Sequence, residues 1–207
     1  DIYNTAVGYD AGLSMTTGTA NTLIGGLAGD ALTDGSNNIT LGKGALSADT
    51  RGCRSVAIGS LALASQNSTT LANVYNVAVG DSAGTTVTTG INNTLIGGTA
   101  GDALTVGIEN VAVGYNALGA DDVGAKNVAI GAYALQKQNA PTATSNSFLN
   151  VAVGHSAGSE IVEGYYNTLI GSNAGDNITS GQSNIIIGQG IDAASATADN
   201  QLNIGGW

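Results

Sequence analysis

Cysteine, proline, methionine, tryptophan, phenylalanine and histidine each occur only once in this chain of 207 residues. A single cysteine, Cys53, forms no internal disulfide and reads as a small residue in a turn. One proline and 10% charged residues exclude the proline-rich or highly charged composition of a disordered tail. No run of about 20 apolar residues occurs, so no membrane-spanning helix is expected. With His155 as the lone histidine, a zinc site or a nucleophilic triad has no material. No catalytic residue, cofactor or metal ligand is therefore assigned, and the chain is not expected to be an enzyme. Basic residues are also scarce. Five Lys and Arg against fifteen Asp and Glu give a net charge of −10, which repels phosphate backbones and argues against nucleic acid as a partner.

Glycine is what the chain has in excess, with 32 in all. It does not fall at every third position, so collagen is excluded. It falls instead at a long fixed period. Asn4-Thr-Ala-Val-Gly8 returns as Asn21-Thr-Leu-Ile-Gly25 and Asn38-Ile-Thr-Leu-Gly42. The anchoring glycines are Gly8, Gly25, Gly42, Gly59, Gly80, Gly97, Gly114, Gly131, Gly154, Gly171, Gly188 and Gly205. Successive anchors are seventeen places apart except from Gly59 to Gly80 and from Gly131 to Gly154. Those two longer steps are inserts, of four and of six extra places, after the fourth and eighth units. The chain is thus one repeat domain over 1–207, with coil blocks 1–64, 73–136 and 147–207 and inserts near 65–75 and 136–149.

So short a unit does not accommodate the common helical repeats. β-Branched and leucine residues one and three places before each anchor suit a pleated surface. A second glycine, ten places after the anchor, marks a second turn, as at Gly18, Gly35 and Gly52. The expected fold is all-β: a parallel β-solenoid or β-roll of twelve coils, each with two short strands. Asparagine four places before the anchor in ten of the first eleven units predicts a hydrogen-bonded ladder along the stack. Units one and two of each block carry glycine four places after the anchor, where units three and four of the first two blocks carry leucine. The residue seven places after is apolar in the first case and polar in the second (Leu32 against Asp49, for example). One core slot is thus filled from either of two positions, and coils three and four are expected to turn differently.

Strand residues alternate in direction. With the large residues before the anchor turned one way, the residue between them (Ala6, Leu23, Thr40, Ala57 and their successors) forms a second uncharged face that a lone solenoid would show to water. Association of parallel copies is therefore expected. Asn-x-Ala-Val/Ile-Gly stacked in register resembles the head of trimeric autotransporter adhesins, a left-handed β-roll. The 17-residue form with Ala-Gly and Thr-Thr-Gly following is similar to bacteriophage tail-fibre repeats that precede an endosialidase-type intramolecular chaperone. The closing residues 199–207 look like the junction before such a chaperone, and the chain reads as a piece of a longer one. The resemblance implies a homotrimer on a virion or cell surface, in contact with a host glycan or protein.

Several patterns imitate chemistry. Asp121-Asp122 reads as a solvated turn rather than as the acid pair of a glycosidase. Gly25 to Thr33 imitates a calcium nonapeptide, but the phrase returns only at Gly97 to Thr105 and not in the next nine places. Threonines eight places after the anchor suggest an ice-binding array, yet Asn67, Asp122, Asn139 and Val162 break the column. Partner contact is expected where the period breaks. The candidates are Tyr75 and Asn67 at the first insert, Gln138 and Phe148 at the second with Pro141 between them, and Tyr165 and Tyr166 one coil later. The alternative is a structural spacer with no receptor site.

Overall fold

The computed structural model describes residues 3–139 and 148–206. Each coil gives one three-residue strand that ends at the residue before its anchor glycine. Twelve such strands, from Thr5–Val7 to Leu202–Ile204, pair parallel in chain order as one sheet. Thr5 lies beside Thr22, Val56 beside Val77 and Val128 beside Val151, so the register holds across both inserts. The architecture is a parallel β-solenoid, and the described residues include no helix long and apolar enough to cross a membrane.

The expected second strand per coil is mostly turn. The N–H groups of Thr16, Thr17 and Gly18 all donate to the single carbonyl of Thr33, at 3.0, 3.2 and 3.1 Å. Three donors converging on one acceptor is a bend, not a ladder. A second sheet exists, among the described residues, only at the first insert, where Gly52–Cys53 pairs with Ala72–Asn73.

The sheet faces are opposite to expectation. The middle residue of each strand points inward: Leu23, Thr40, Ala57, Ala78 and Leu95 have no solvent exposure. The flanking residues point out, with Ile39, Leu41, Ile96 and Ile130 among the exposed ones. The reason is the thinness of a 17-residue coil. Its interior already holds an alanine three places after each of the first ten anchors (Ala28, Ala45, Ala62) and one large side chain more. Two β-branched columns do not fit beside them.

The exchangeable core slot is present. The far turn differs in coil three, where the Arg51 and Gly52 N–H groups donate to Asp49 Oδ1 at 3.3 and 2.9 Å in place of a next-coil carbonyl, but the turn that carries the slot keeps one shape. Leu46 and Leu63 hold φ of 51°, against 63° and 55° at Gly12 and Gly29. Both kinds of residue donate to the next coil's alanine carbonyl, Gly29 to Ala45 and Leu46 to Ala62, each at 3.0 Å. What changes is volume. A Cβ on Gly29 would lie 2.9 Å from Leu32 Cδ1 and 3.0 Å from Leu23 Cδ2, so leucines arriving from elsewhere exclude one at that position.

The asparagine ladder forms as expected. Asn110 Oδ1 accepts from the Asn127 N–H at 3.0 Å, while its Nδ2 donates to the Gly124 carbonyl at 2.8 Å. The same pair of bonds repeats at Asn21, Asn93, Asn150 and Asn167. At Ser55, the one exception, Gln66 fills the gap: its amide reaches Ser55 Oγ at 3.1 Å and accepts from Asn76 at 3.0 Å. Asn110→Ala would leave a buried N–H and a buried carbonyl without partners. The expected loss is about 2 kcal/mol, read as a lower denaturation midpoint and faster hydrogen exchange at the Asn127 amide.

Candidate functional site

The first insert is the place where the described coil opens. Cys53 lies six places before its anchor, while its partner Asn73 lies seven before the next, so the insert strand pairs one residue out of step. The Val74 N–H then reaches the Cys53 carbonyl at 2.9 Å, and Val74 turns inward with 1% exposure. The chain regains register through Tyr75, which takes a left-handed φ of 55° and stands 47% exposed. Arg54, also left-handed, lies one coil below. Its Nε donates to Asn73 Oδ1 at 3.0 Å, and its guanidinium carbon lies 5.8 Å from the Tyr75 ring centre. Between coil three and the insert lies an open groove of about 320 Å³, lined by Ser36, Asn37, Cys53, Arg54, Leu71 and Asn73.

The six sequence candidates separate. Tyr75 does not line the groove itself but stands beside Arg54, which does. Asn67 is exposed in the same insert, where its side-chain oxygen accepts from Thr50 at 3.3 Å. Phe148 and Gln138 are buried, and neither side chain is presented to a partner. Phe148 does at the second insert what Val74 does at the first, donating its N–H to the Ala125 carbonyl at 3.1 Å. Gln138 bridges Asp121 Oδ2 and Asn150 Nδ2, each at 2.7 Å. Tyr165 and Tyr166 form an edge-to-face pair at 5.0 Å, with Tyr166 exposed. Pro141 lies outside the described residues. Sequence reasoning missed Arg54 and Asn73, although a signal existed: Lys43, Arg51 and Arg54, three of only five basic residues, fall in the third coil.

Asp121 is not in a solvated turn. It is fully buried, and burial pushes its carboxyl up to about 6, against the opposing hydrogen bonds from Gln138 and the Gly124 N–H. It faces the coil interior. His155 packs edge-on against Tyr133 at 5.8 Å, and Tyr133 against Tyr115 at 5.5 Å. The threonine hydroxyls at Thr33, Thr88 and Thr105 donate to next-coil carbonyls at 2.9 to 3.0 Å, which ties them to the stack rather than to an outward array. Among the described residues, no group of three or more His, Cys, Asp or Glu side chains is placed to hold a metal ion. No protein-family model, curated protein or solved structure matches the chain.

Proposed function

We propose that this chain is a segment of a homotrimeric surface fibre, of the phage tail-fibre or adhesin kind, that displays contact sites for a host glycan or protein. The observation that carries the reading is the outer face of the twelve-stranded sheet. Every flanking strand residue on it is Thr, Val, Ile or Leu, without one charge from Thr5 to Ile204. Monomeric soluble proteins rarely expose so long an apolar patch. Copies of one chain, packed in parallel about an axis, cover it by symmetry. The number three rests on the resemblance of the Asn-x-Ala-Val/Ile-Gly repeat to trimeric heads and fibres.

The test is mass in solution. Three copies of a 20.2 kDa chain give about 60 kDa by light scattering. Ile130→Asp places a charge on the outer face, where Ile130 is 39% exposed, and leaves the coil interior alone. It is expected to shift the mass toward the single chain, with the β-rich circular dichroism unchanged, because a carboxylate buried between copies costs several kcal/mol. A wild-type chain that stays a soluble monomer overturns the assembly.

A spacer without a receptor site is the second reading. The burial of Phe148 and Gln138 favours it, since they leave the second insert with fewer contact groups. Attachment of the assembled chain to host cells, lost when residues 65–75 are shortened to restore the 17-residue period, separates the two.

A further inference from the structure

The two inserts place a cation at the same turn but set different neighbours over it. Arg54 and Lys126 both lie five places before their anchor glycines. The bonds Val74 to Cys53 and Phe148 to Ala125 are equivalent, so Tyr75 and Leu149 occupy equivalent positions above them. Among the described residues, only the first insert therefore pairs its cation with an aromatic ring.

Arg54 is also set apart from the other arginine. Arg51 is neutralised by Asp34 at 3.4 Å, whereas among the described residues no carboxylate forms an ion pair with Arg54. Its Nε bond to Asn73 and its contact with Tyr75 fix the plane of the guanidinium. The terminal N–H groups are left for a ligand, in the fork that suits a carboxylate with two oxygens. Asn37 and Asn73 add amide groups suited to hydroxyls, and Leu71 adds an apolar wall to the groove of about 320 Å³. That volume is at the lower end for a small-molecule site. The chain as a whole carries a net charge of −10, so a long polyanion lying along the fibre is repelled while one acidic group in this groove is not.

Resting on the fibre reading above, we infer that the groove at the first insert binds a carboxylate-bearing sugar residue of a surface polysaccharide. Arg54 anchors the carboxylate, and Asn73 and Tyr75 hold Arg54 in position. A single open groove of this kind binds weakly, and an assembly with three copies gains its attachment by avidity.

The test titrates the assembled chain with trigalacturonate and 3′-sialyllactose, with maltotriose and lactose as neutral counterparts, by ligand-observed NMR. The acidic probes are expected to bind at least about tenfold more tightly than the neutral ones, and added salt is expected to weaken them. Arg54→Gln is expected to lose about tenfold or more, with Arg54→Lys intermediate because it keeps the charge but not the fork. Tyr75→Ala is expected to lose about fivefold. Lys126→Gln controls for charge alone and is expected to leave binding unchanged. Equal binding of neutral and acidic probes, no acidic binding at about 10 mM, or an unaffected Arg54→Gln that keeps the wild-type melting curve each overturns the inference. If the assembled chain still attaches to host cells in those cases, the fibre reading stands without it. If the acidic probes bind through Arg54 but no cell is attached, the groove stands and the fibre reading falls.

Discussion

Gly97→Ala is expected to cost about 3–5 kcal/mol and to lower the melting temperature by about 10 °C, while Gly98→Ala beside it is expected to change almost nothing. Gly97 holds φ +136°, a region that residues with a Cβ rarely enter. A Cβ there would also run into the Gly114 carbonyl group of the next coil, 2.6 Å from its carbon. That atom is backbone, held by the stack, and no rotamer change relieves the contact. Gly98 has no such φ, and its nearest neighbour would be Tyr115 Cδ2 at 3.5 Å, an ordinary contact. The column of anchor glycines thus sets how closely coils approach, with Gly80 and Gly114 in the same relation to the coils after them. Because stability in a stacked array is carried by nearest neighbours, a wedge at Gly97 weakens the junction between coils six and seven. Thermal melts of the two variants check this. Equal melting would mean that the coil spacing gives way by several tenths of an ångström at no cost.

The period, the parallel register, the two inserts and the asparagine ladder are all legible in the sequence. Each of these repeats, and repetition at fixed spacing is visible without knowing which way a side chain points. Direction is less legible. Alternation along Thr22–Ile24 separates Leu23 from its neighbours but does not say which side is inside. Size then misleads, because Val and Ile look like core and Ala looks like surface. In so thin a coil the two flanking residues go out and the one between them goes in, whether it is Ala57 and Ala78 or Leu23 and Leu95. The second strand misleads for another reason. A glycine-marked turn at Gly18 suggests an extended run beside it, whereas three N–H groups there share one carbonyl. At the candidate site, aromatic residues in the inserts point to Tyr75, which is exposed, and to Phe148, which is buried. Both follow an insert, but Phe148 lies at the inward position that Val74 occupies in the first. Arg54 is hard to find because it belongs to the regular coil before the insert, and only folding stacks it beneath Tyr75.

Buried polar residues in the third and fourth coils of the first two blocks are visible as a pattern but not as chemistry, and Asp121 is where their chemistry can be measured. Its carboxylate sits in the coil interior, with Oδ1 accepting from the Gly124 N–H at 2.7 Å and Oδ2 from Gln138 at 2.7 Å. Asn127 Nδ2 approaches Oδ2 at 3.4 Å, and Asp122 is the charged neighbour, which raises the carboxyl further. All of these hydrogen bonds need an acceptor, so the geometry favours the ionised form. Burial favours the neutral form and wins, pushing the carboxyl from 3.8 to about 6. With the folded value above the unfolded one, the folded chain holds the proton more tightly. Its contribution to stability is fully present below about pH 4 and is lost as pH rises through about 6, a total of about 3 kcal/mol. Asp121→Asn removes the titration. It also sets an amide donor against Gln138 Nε2, which adds a penalty that does not vary with pH. Wild type is therefore expected to lose about 3 kcal/mol relative to Asp121→Asn between pH 3 and pH 7, whatever the offset between them. Native-state hydrogen exchange at the Gly124 and Asn127 amides reads this locally, without requiring the whole array to unfold as one unit. A difference between the two proteins that stays constant across that window would show that Asp121 titrates at its unfolded value, and that Gln138 and the Gly124 N–H solvate the carboxylate as fully as water does.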